Sequence, residues 1–416
     1  IVIDPMSLAE AKVEVNAYAE AIERKQGLKV LIIVDRWGIP DSIRQHLYQL
    51  YCKKDALLIG AVLVGDIPIP MIRDAQFLTS AFKMDQKIGR RESSVPSDRY
   101  YDDFDLKFIS LGKDVDQVHY PYYYYSLSAD GKQILRPNIF SGRIRPTDTK
   151  QSSRYEKLRA YLRKATQFKL HPEPLSNIFI FQGSGSLSES NVAHLDEYRG
   201  WLEHLPILKV RHESFSYMQY DDEPYIKVKM MNELMRPDLS FAIMHHHGDF
   251  DTQYLGTYPH PKNASEAIEY IKYTYRDQIR TGQRYGKNPD SMKAEILRSS
   301  DIPASWLDNY RERTVIEADS MVNVKANLTL DDFEDGTYRP NCRMINFDAC
   351  YNGSFNHSNS IANAYIFQPG NTLVALGGTV NVLQDKWPDR FMGLMGEGMM
   401  VGYLCQSTCY LEWHII

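Results

Sequence analysis

The sequence has few cysteines, no long apolar run and no large excess of either charge. Only 5 of its 416 residues are cysteine, and none form a CxxC pair. This low, odd count excludes a disulfide scaffold and leaves at least one thiol free. No apolar run reaches the roughly 18 residues of a transmembrane helix, so no membrane-spanning segment is predicted. The net charge of -5 provides no basic surface for nucleic acid.

The residues that are present indicate an ordinary globular protein. A hydrophobic content of 43% is enough for a sizeable core, and 416 residues are enough for two or three domains. The chain also contains 28 tyrosines, most of which we expect to line the core. Because the sequence begins at Ile1 rather than at Met, we expect a processed or trimmed chain.

The N-terminal part alternates between helical and strand patterns. The apolar spacing predicts helices over 7–26, with Ser7 as N-cap, and over 39–54, and strands over 28–34, 56–66 and 138–146. Strands separated by helices favour a parallel sheet. Apart from that last strand, residues 67–150 show little regular pattern, and a polar helix over 148–167 follows as a linker. We therefore predict an N-terminal α/β subdomain over 1–150.

The same alternation begins again after the linker. Apolar runs predict strands over 177–183, 208–215, 239–248, 343–350 and 372–380, with helices between them. A charged, mainly helical stretch over 252–340 interrupts the series. The sequence therefore predicts a second α/β subdomain over 151–416 with a helical insertion at 252–340, and mostly parallel sheets in both subdomains.

Two of these strands end abruptly in reactive side chains. One ends in the segment His245–Asp249 and the other in Asp348–Gly353. Parallel sheets place their sites at the carboxyl ends of strands. A thiol attacks a carbonyl as thiolate, and a neighbouring imidazole can remove its proton. Gly248 permits close approach of the backbone to a substrate, and the Cys350 N–H is a natural donor to a developing oxyanion.

These segments resemble the caspase-like cysteine peptidases, and the gingipain family in particular. The likeness rests on His-Gly and Ala-Cys at two strand ends, and on VLVGDIPIP, SDRYYDD, IFSGRIRPTD, IMHHHGD, FDACYNGSF and LVALGGTVN in the family's order. It implies a caspase-like three-layer αβα fold with two subdomains in series. It also implies a catalytic dyad of His247 and Cys350, with the Gly248 and Cys350 N–H groups as the oxyanion hole.

The resemblance extends to partners and location. It implies a bacterial endopeptidase, acting on protein or peptide substrates, that is secreted or at the cell surface or in the periplasm. No cofactor is required, although related peptidases bind calcium and the acidic segment 97–105 is a candidate for a structural calcium site. Its oligomeric state is left open.

Strand geometry and the resemblance together bear on specificity. Side chains at i and i+2 share a face of a strand, so Asp348 lies on the side of Cys350. In clostripain-like relatives such an Asp favours a basic residue before the cut, so we expect cleavage after Arg or Lys. Glu189 is a second candidate for this pocket. Gingipains carry a Glu where Gln182 stands here, and an amide stabilises an imidazolium less well than a carboxylate.

Two other functions remain open at this point. His245, His247 and Asp249 form an H-x-H-x-D pattern, which is compatible with a metal-dependent hydrolase. Gln182, the tyrosines at 120–125 and the acidic segment 97–105 are compatible with a weak or inactive peptidase homologue that acts as a surface binding protein.

Overall fold

The computed structural model describes most of the chain. It describes residues 1–54, 57–75, 85–114, 122–184, 197, 199–203, 205, 215–220, 225–256, 261–382 and 392–411. Of the strand predicted over 208–215 only Phe215 is among these residues, and the candidate pocket residue Glu189 lies outside them.

The N-terminal part contains two four-stranded sheets. The first is parallel, in the order β2-β1-β3-β8, and the second is mixed, in the order β5-β4-β7-β6. The strands are β1 Val2–Ile3, β2 Ile33–Val34, β3 Gly60–Val64, β4 Ile69–Arg73, β5 Val95–Pro96, β6 Phe108–Lys113, β7 Tyr122–Leu127 and β8 Phe140–Ile144. The helices are α1 Pro5–Gln26, α2 Pro40–Tyr51, α3 Arg99–Asp102 and α4 Arg154–Leu170. Apolar side chains of α2 pack on one face of the parallel sheet, and those of α1 and α4 on the other.

Several N-terminal predictions need correction. The predicted strand over 28–34 is reduced to the edge strand β2, which pairs with a two-residue strand, β1, too short to show any periodicity. Helix α1 begins at Pro5, because the side chain of Asp4 rather than that of Ser7 caps it. The prediction of little regular structure over 67–150 is also wrong, since the mixed sheet lies there. Its strand β7 carries Tyr122 to Tyr125, all buried, as the expectation of a tyrosine-lined core requires.

The C-terminal part is built on a five-stranded parallel sheet in the order β10-β9-β11-β15-β16. The strands are β9 Ile178–Gln182, β10 Phe215–Gln219, β11 Phe241–His245, β15 Met344–Asp348 and β16 Val374–Gly377, and the helices around it are α5 Ile226–Leu234, α9 Ile361–Phe367, α10 Met392–Gly396 and α11 Val401–Leu411. Helices α5 and α9 cover one face, and Trp201, Leu205 and α11 cover the other. This is the predicted three-layer αβα arrangement.

The insertion between β11 and β15 is mainly helical, but it also contains short strands. It contains the helices α6 Ala264–Arg284, α7 Pro289–Ser299 and α8 Arg313–Ala326. Three short strands form a separate antiparallel sheet: β12 His247–Asp249, β13 Thr252–Tyr254 and β14 Leu328–Thr329. Strand β13 pairs directly with β12, which starts at His247. The first strand of the insertion therefore forms a β-hairpin with the strand that carries His247 and Gly248.

The two parts are packed together along α4. This helix contacts α1 of the N-terminal part and α9 of the C-terminal part, and Leu373 joins the same apolar cluster. The strands of the two large parallel sheets lie on either side of α4 in the sequence, and we keep the subdomain division 1–150 and 151–416 as a proposal. None of the helices described here has the length and apolarity needed to cross a membrane.

Candidate active site

The predicted dyad residues follow two adjacent strands at the same edge of the sheet. Strands β11 and β15 pair in parallel, and their last partners are His245 and Asp348. His247 and Cys350 each lie two residues further along, beyond the carboxyl ends where α/β sheets place their sites. His247 is exposed and Cys350 is half-buried. The arrangement therefore brings an accessible imidazole and a thiol to one edge of the sheet.

Gly248 is in close contact with the backbone of the cysteine segment. A Cβ at this position would lie 2.5 Å from the Cys350 carbonyl oxygen and 2.9 Å from Nδ2 of Asn352. No side chain fits there without moving the backbone. The contact explains why glycine follows His247, and it places the Gly248 backbone beside Cys350.

Asn352 connects the two segments and was not singled out from the sequence. Its side-chain amide donates to the carbonyl oxygens of Asp249, at 2.6 Å, and Thr252, at 3.1 Å. Its backbone N–H donates to the Cys350 carbonyl at 2.7 Å. Through these hydrogen bonds the buried Asn352 holds the β12–β13 hairpin against the loop that carries Cys350. Its place in DACYNG, one residue before a Gly, was the available signal, since Asn-Gly pairs favour tight turns.

The Cys350 thiol lies in a partly buried environment. Its Sγ accepts from the Val382 N–H at 3.4 Å. Burial raises the pKa of the Cys350 thiol, the Val382 contact lowers it, and the negative charges of Asp348 and Asp249 raise it further. The net direction is upward. The group is therefore a neutral thiol at rest near pH 7, and a base has to deprotonate it during attack.

His245 forms a buried ion-pair triad with two carboxylates. Its Nδ1 lies 2.8 Å from Asp348 Oδ2, its Nε2 lies 2.8 Å from Glu197 Oε1, and all three side chains are buried. Burial alone lowers the pKa of His245, but the charge of Glu197 and the hydrogen bonds to Asp348 and Glu197 raise it to about 10. His245 is thus an imidazolium held between two carboxylates. Glu197 was missed because only the fold brings it to β11.

The last turn of the insertion helix α6 contacts the site. The Tyr285 hydroxyl donates to Oδ1 of the buried Asp249, and Arg284 forms an ion pair with Asp249 Oδ2 at 3.2 Å. The ring of Tyr285 stacks on that of Tyr351, with centroids 4.2 Å apart. Tyr351 directly follows the cysteine and has a positive φ of 57°. The insertion therefore supports both segments that carry His247 and Cys350.

The geometry bears on the residues of the alternative functions. Both ring nitrogens of His245 contact carboxylates, and Asp249 pairs with Arg284 of α6, so two of the three residues of the H-x-H-x-D pattern already have protein partners. Across the described part of the chain, no group of three His, Cys, Asp or Glu residues could hold a metal ion. Gln182 is buried at the end of β9, beside His245 in the sheet.

The acidic segment 97–105 is largely engaged by protein partners. Asp98 pairs with Arg143 at 2.7 Å, Asp105 pairs with Lys132, and Asp103 accepts from the Arg136 N–H at 2.7 Å. Asp102 is fully buried, and burial raises its pKa to about 7. Ion pairs and hydrogen bonds thus already engage most carboxylates of the segment. The calcium site stays a prediction, which a calcium titration monitored by thermal unfolding would test.

Comparisons with known proteins agree with this fold. No family model and no curated protein sequence matches the chain. The complex of the RgpB pro- and mature domains of Porphyromonas gingivalis matches with a TM-score of 0.50 and 13% identity, over 98% of this chain and 72% of that one. A crystal structure of the Arg specific cysteine proteinase gingipain R (RGPB) matches with a TM-score of 0.49 and 13% identity, over 98% and 70%.

A further structure, described as a protease, has a TM-score of 0.49 and 12% identity. The match covers 93% of this chain but only 61% of that one, so this chain spans less than two thirds of it. The match to the RgpB complex, at a TM-score of 0.50 and 13% identity, shows the fold alone. The chain has the gingipain-like, caspase-like α/β fold that its sequence predicts.

Proposed function

We propose that the protein is a cysteine endopeptidase that acts through His247 and Cys350. The observation that carries the proposal is the parallel register of β11 and β15, which brings these two residues to one edge of the sheet. The contact of Gly248 with the Cys350 carbonyl supports it, because it brings two backbone segments together where an oxyanion hole is needed.

In this proposal His247 acts as a general base, since the raised pKa of Cys350 keeps the resting thiol protonated. His247 removes the thiol proton as the sulfur attacks the scissile carbonyl. The N–H groups of Gly248 and Cys350 stabilise the oxyanion. His247 then gives its proton to the leaving amine, which departs and leaves a thioester. Water, deprotonated by His247, hydrolyses that thioester and restores the thiol.

We further propose that the protein cleaves after Arg or Lys. Asp348 precedes Cys350 by two residues, at the carboxyl end of β15, and its carboxylate is bound to the His245 imidazole. Its negative charge raises the pKa of the Cys350 thiol, so it would also attract a basic side chain bound beside Cys350. By the family resemblance we also propose that the protein is bacterial and acts outside the cytoplasm, as a secreted, surface or periplasmic peptidase.

A substrate pair separates charge recognition from general damage to the site. Peptides with Arg before the scissile bond are compared with peptides that carry its neutral isostere citrulline, using wild type and Asp348→Asn. We expect wild type to prefer Arg by about 10-fold or more and Asp348→Asn to lose most of this preference. An unchanged ratio in the variant would remove Asp348 from the specificity proposal.

A non-catalytic binding protein is the second candidate. The tyrosine segment is one sequence feature in its favour, but Tyr122 to Tyr125 are buried in β7 and present little surface to a partner. If no peptide is cleaved by wild type while a protein or glycan binds, this second function would replace the first.

A further inference from the structure

A chain of buried hydrogen bonds leads from the core to the backbone of His247. The Tyr338 hydroxyl donates to that of Tyr365 at 3.0 Å, and Tyr365 donates to Oε1 of Gln253 at 2.9 Å. Nε2 of Gln253 lies 2.9 Å from Nε2 of His246, and Nδ1 of His246 lies 2.8 Å from the His247 carbonyl oxygen. All four side chains of this relay are at most 1% exposed.

The bonds of the relay run in one direction. A carbonyl oxygen only accepts, so Nδ1 of His246 carries a hydrogen and donates to His247. Neutral His246 then accepts at Nε2, which requires the NH₂ group of Gln253 to face it and leaves Oε1 to accept from Tyr365. Burial lowers the pKa of His246 to about 3, in agreement with a neutral ring. One tautomer and one amide orientation therefore satisfy the whole relay.

The end of the relay determines the direction of a catalytic donor. The His247 carbonyl and the Gly248 N–H belong to the same planar trans peptide, and they point in opposite directions. The hydrogen bond from His246 fixes the direction of the His247 carbonyl. It therefore also fixes the direction of the Gly248 N–H, on the opposite side of the same peptide. We propose that His246, with Gln253, Tyr365 and Tyr338 behind it, is a positioning residue that aims the Gly248 N–H at the oxyanion. This inference rests on the proposed peptidase function.

The hairpin register supports the same orientation. Strands β12 and β13 pair Asp249 with Thr252 and Gly248 with Gln253, around a two-residue turn. In such a hairpin the pair next to the turn is hydrogen-bonded and the following pair is not. Gly248 is in the second pair, so its N–H points away from β13. The hairpin and the relay thus direct this N–H to the same side.

Substitutions along the relay test the inference without removing its packing. His246→Phe keeps a ring against Phe347 and removes both nitrogens, while Tyr365→Phe and Tyr338→Phe remove one hydroxyl each. Tyr101→Phe is the matched control, because Tyr101 is a buried tyrosine whose hydroxyl donates to the Pro68 carbonyl, away from the relay.

Two reactions of Cys350 are then compared. Peptide hydrolysis passes through an oxyanion, whereas alkylation by iodoacetamide displaces iodide at a carbon and forms none. We expect kcat to fall about 10- to 100-fold in His246→Phe, less than the roughly 100- to 1,000-fold loss from removing an oxyanion donor. The fall should be smaller in Tyr365→Phe and smallest in Tyr338→Phe, with KM and the alkylation rate within about 2-fold of wild type and of Tyr101→Phe.

Each outcome supports or overturns the inference. Wild-type kcat in both His246→Phe and Tyr365→Phe overturns it, and so does a parallel loss of hydrolysis and alkylation, which indicates a disordered site. If His246→Phe does not fold, Tyr365→Phe decides alone. A wild-type protein that hydrolyses no peptide contradicts the proposed function itself, which separates that failure from an active enzyme with unaffected relay variants.

Discussion

The buried His245 leads to a prediction about stability, because its charge in the fold differs from that of a histidine in water. Between Glu197 and Asp348 its pKa is about 10, against an ordinary value of 6.5. The folded protein keeps this proton at pH values where the unfolded chain releases it. The stabilisation from His245 is therefore complete below about pH 6.5 and is lost as the pH rises to about 10.

The size of the effect follows from this difference in pKa. The 3.5 pKa units between 6.5 and 10 correspond to about 5 kcal/mol, at about 1.4 kcal/mol per unit. Between about pH 7 and pH 9 the folded protein binds about one proton more than the unfolded chain. Raising the pH over this range should therefore remove about 3 kcal/mol of this stabilisation.

Urea unfolding of wild type and His245→Gln over this pH range measures the effect. Near pH 7 the variant should be less stable by about 3–5 kcal/mol, because two buried carboxylates lose their cation. Towards pH 9 the difference in unfolding free energy between wild type and the variant should narrow by about 3 kcal/mol. His171→Gln, at an exposed position after α4, controls for loss of an imidazole at the surface. A gap that stays constant within about 0.5 kcal/mol across this range would show that His245 is neutral in the fold.

Three further predictions concern the dyad and its support. The rate at which iodoacetamide alkylates Cys350 should rise with pH through a pKa above that of an ordinary cysteine thiol, because burial raises the pKa of this thiol. Gly248→Ala should lower kcat/KM by about 100-fold or more, because its Cβ meets the Cys350 carbonyl and moves an oxyanion donor. Tyr285→Phe should keep the stacking on Tyr351 but cost about 2 kcal/mol in urea unfolding, since the buried Asp249 loses a donor.

Each of these has a clear contrary outcome. An alkylation pKa below 7 would mean that Cys350 rests as a thiolate and that the general-base mechanism is wrong. Wild-type kcat/KM in Gly248→Ala would show that the close backbone contact does not matter for catalysis. Unchanged stability in Tyr285→Phe would show that the Tyr285 hydroxyl does not stabilise the buried Asp249.

The central sheet and the positions of His247 and Cys350 at its edge could be predicted because their signals are local. Strands β9, β11, β15 and β16 are apolar runs bounded by polar residues and glycine, which is typical of buried parallel strands. The reactive residues stand where two of these runs stop. The parallel order then brings His247 and Cys350 to one edge whatever lies between them in the sequence.

The rest of the fold and site depends on contacts that no local pattern shows. Strands β1 and β2 have two residues each, too few for any period. The pairing of His245 with Glu197 joins residues 48 apart, and the bond between Gln253 and Tyr365 joins residues 112 apart. Such partners become visible only when the sheet and the insertion are folded.

The most direct test of the proposed peptidase is covalent labelling with an arginyl or lysyl chloromethylketone, followed by peptide mapping. We expect one adduct, on Cys350, and none on Cys52, although Cys52 is exposed and free. Labelling should be lost in Cys350→Ala and strongly reduced in His247→Ala. Labelling of Cys52 in preference to Cys350, or equal labelling of wild type and His247→Ala, would contradict a dyad of His247 and Cys350.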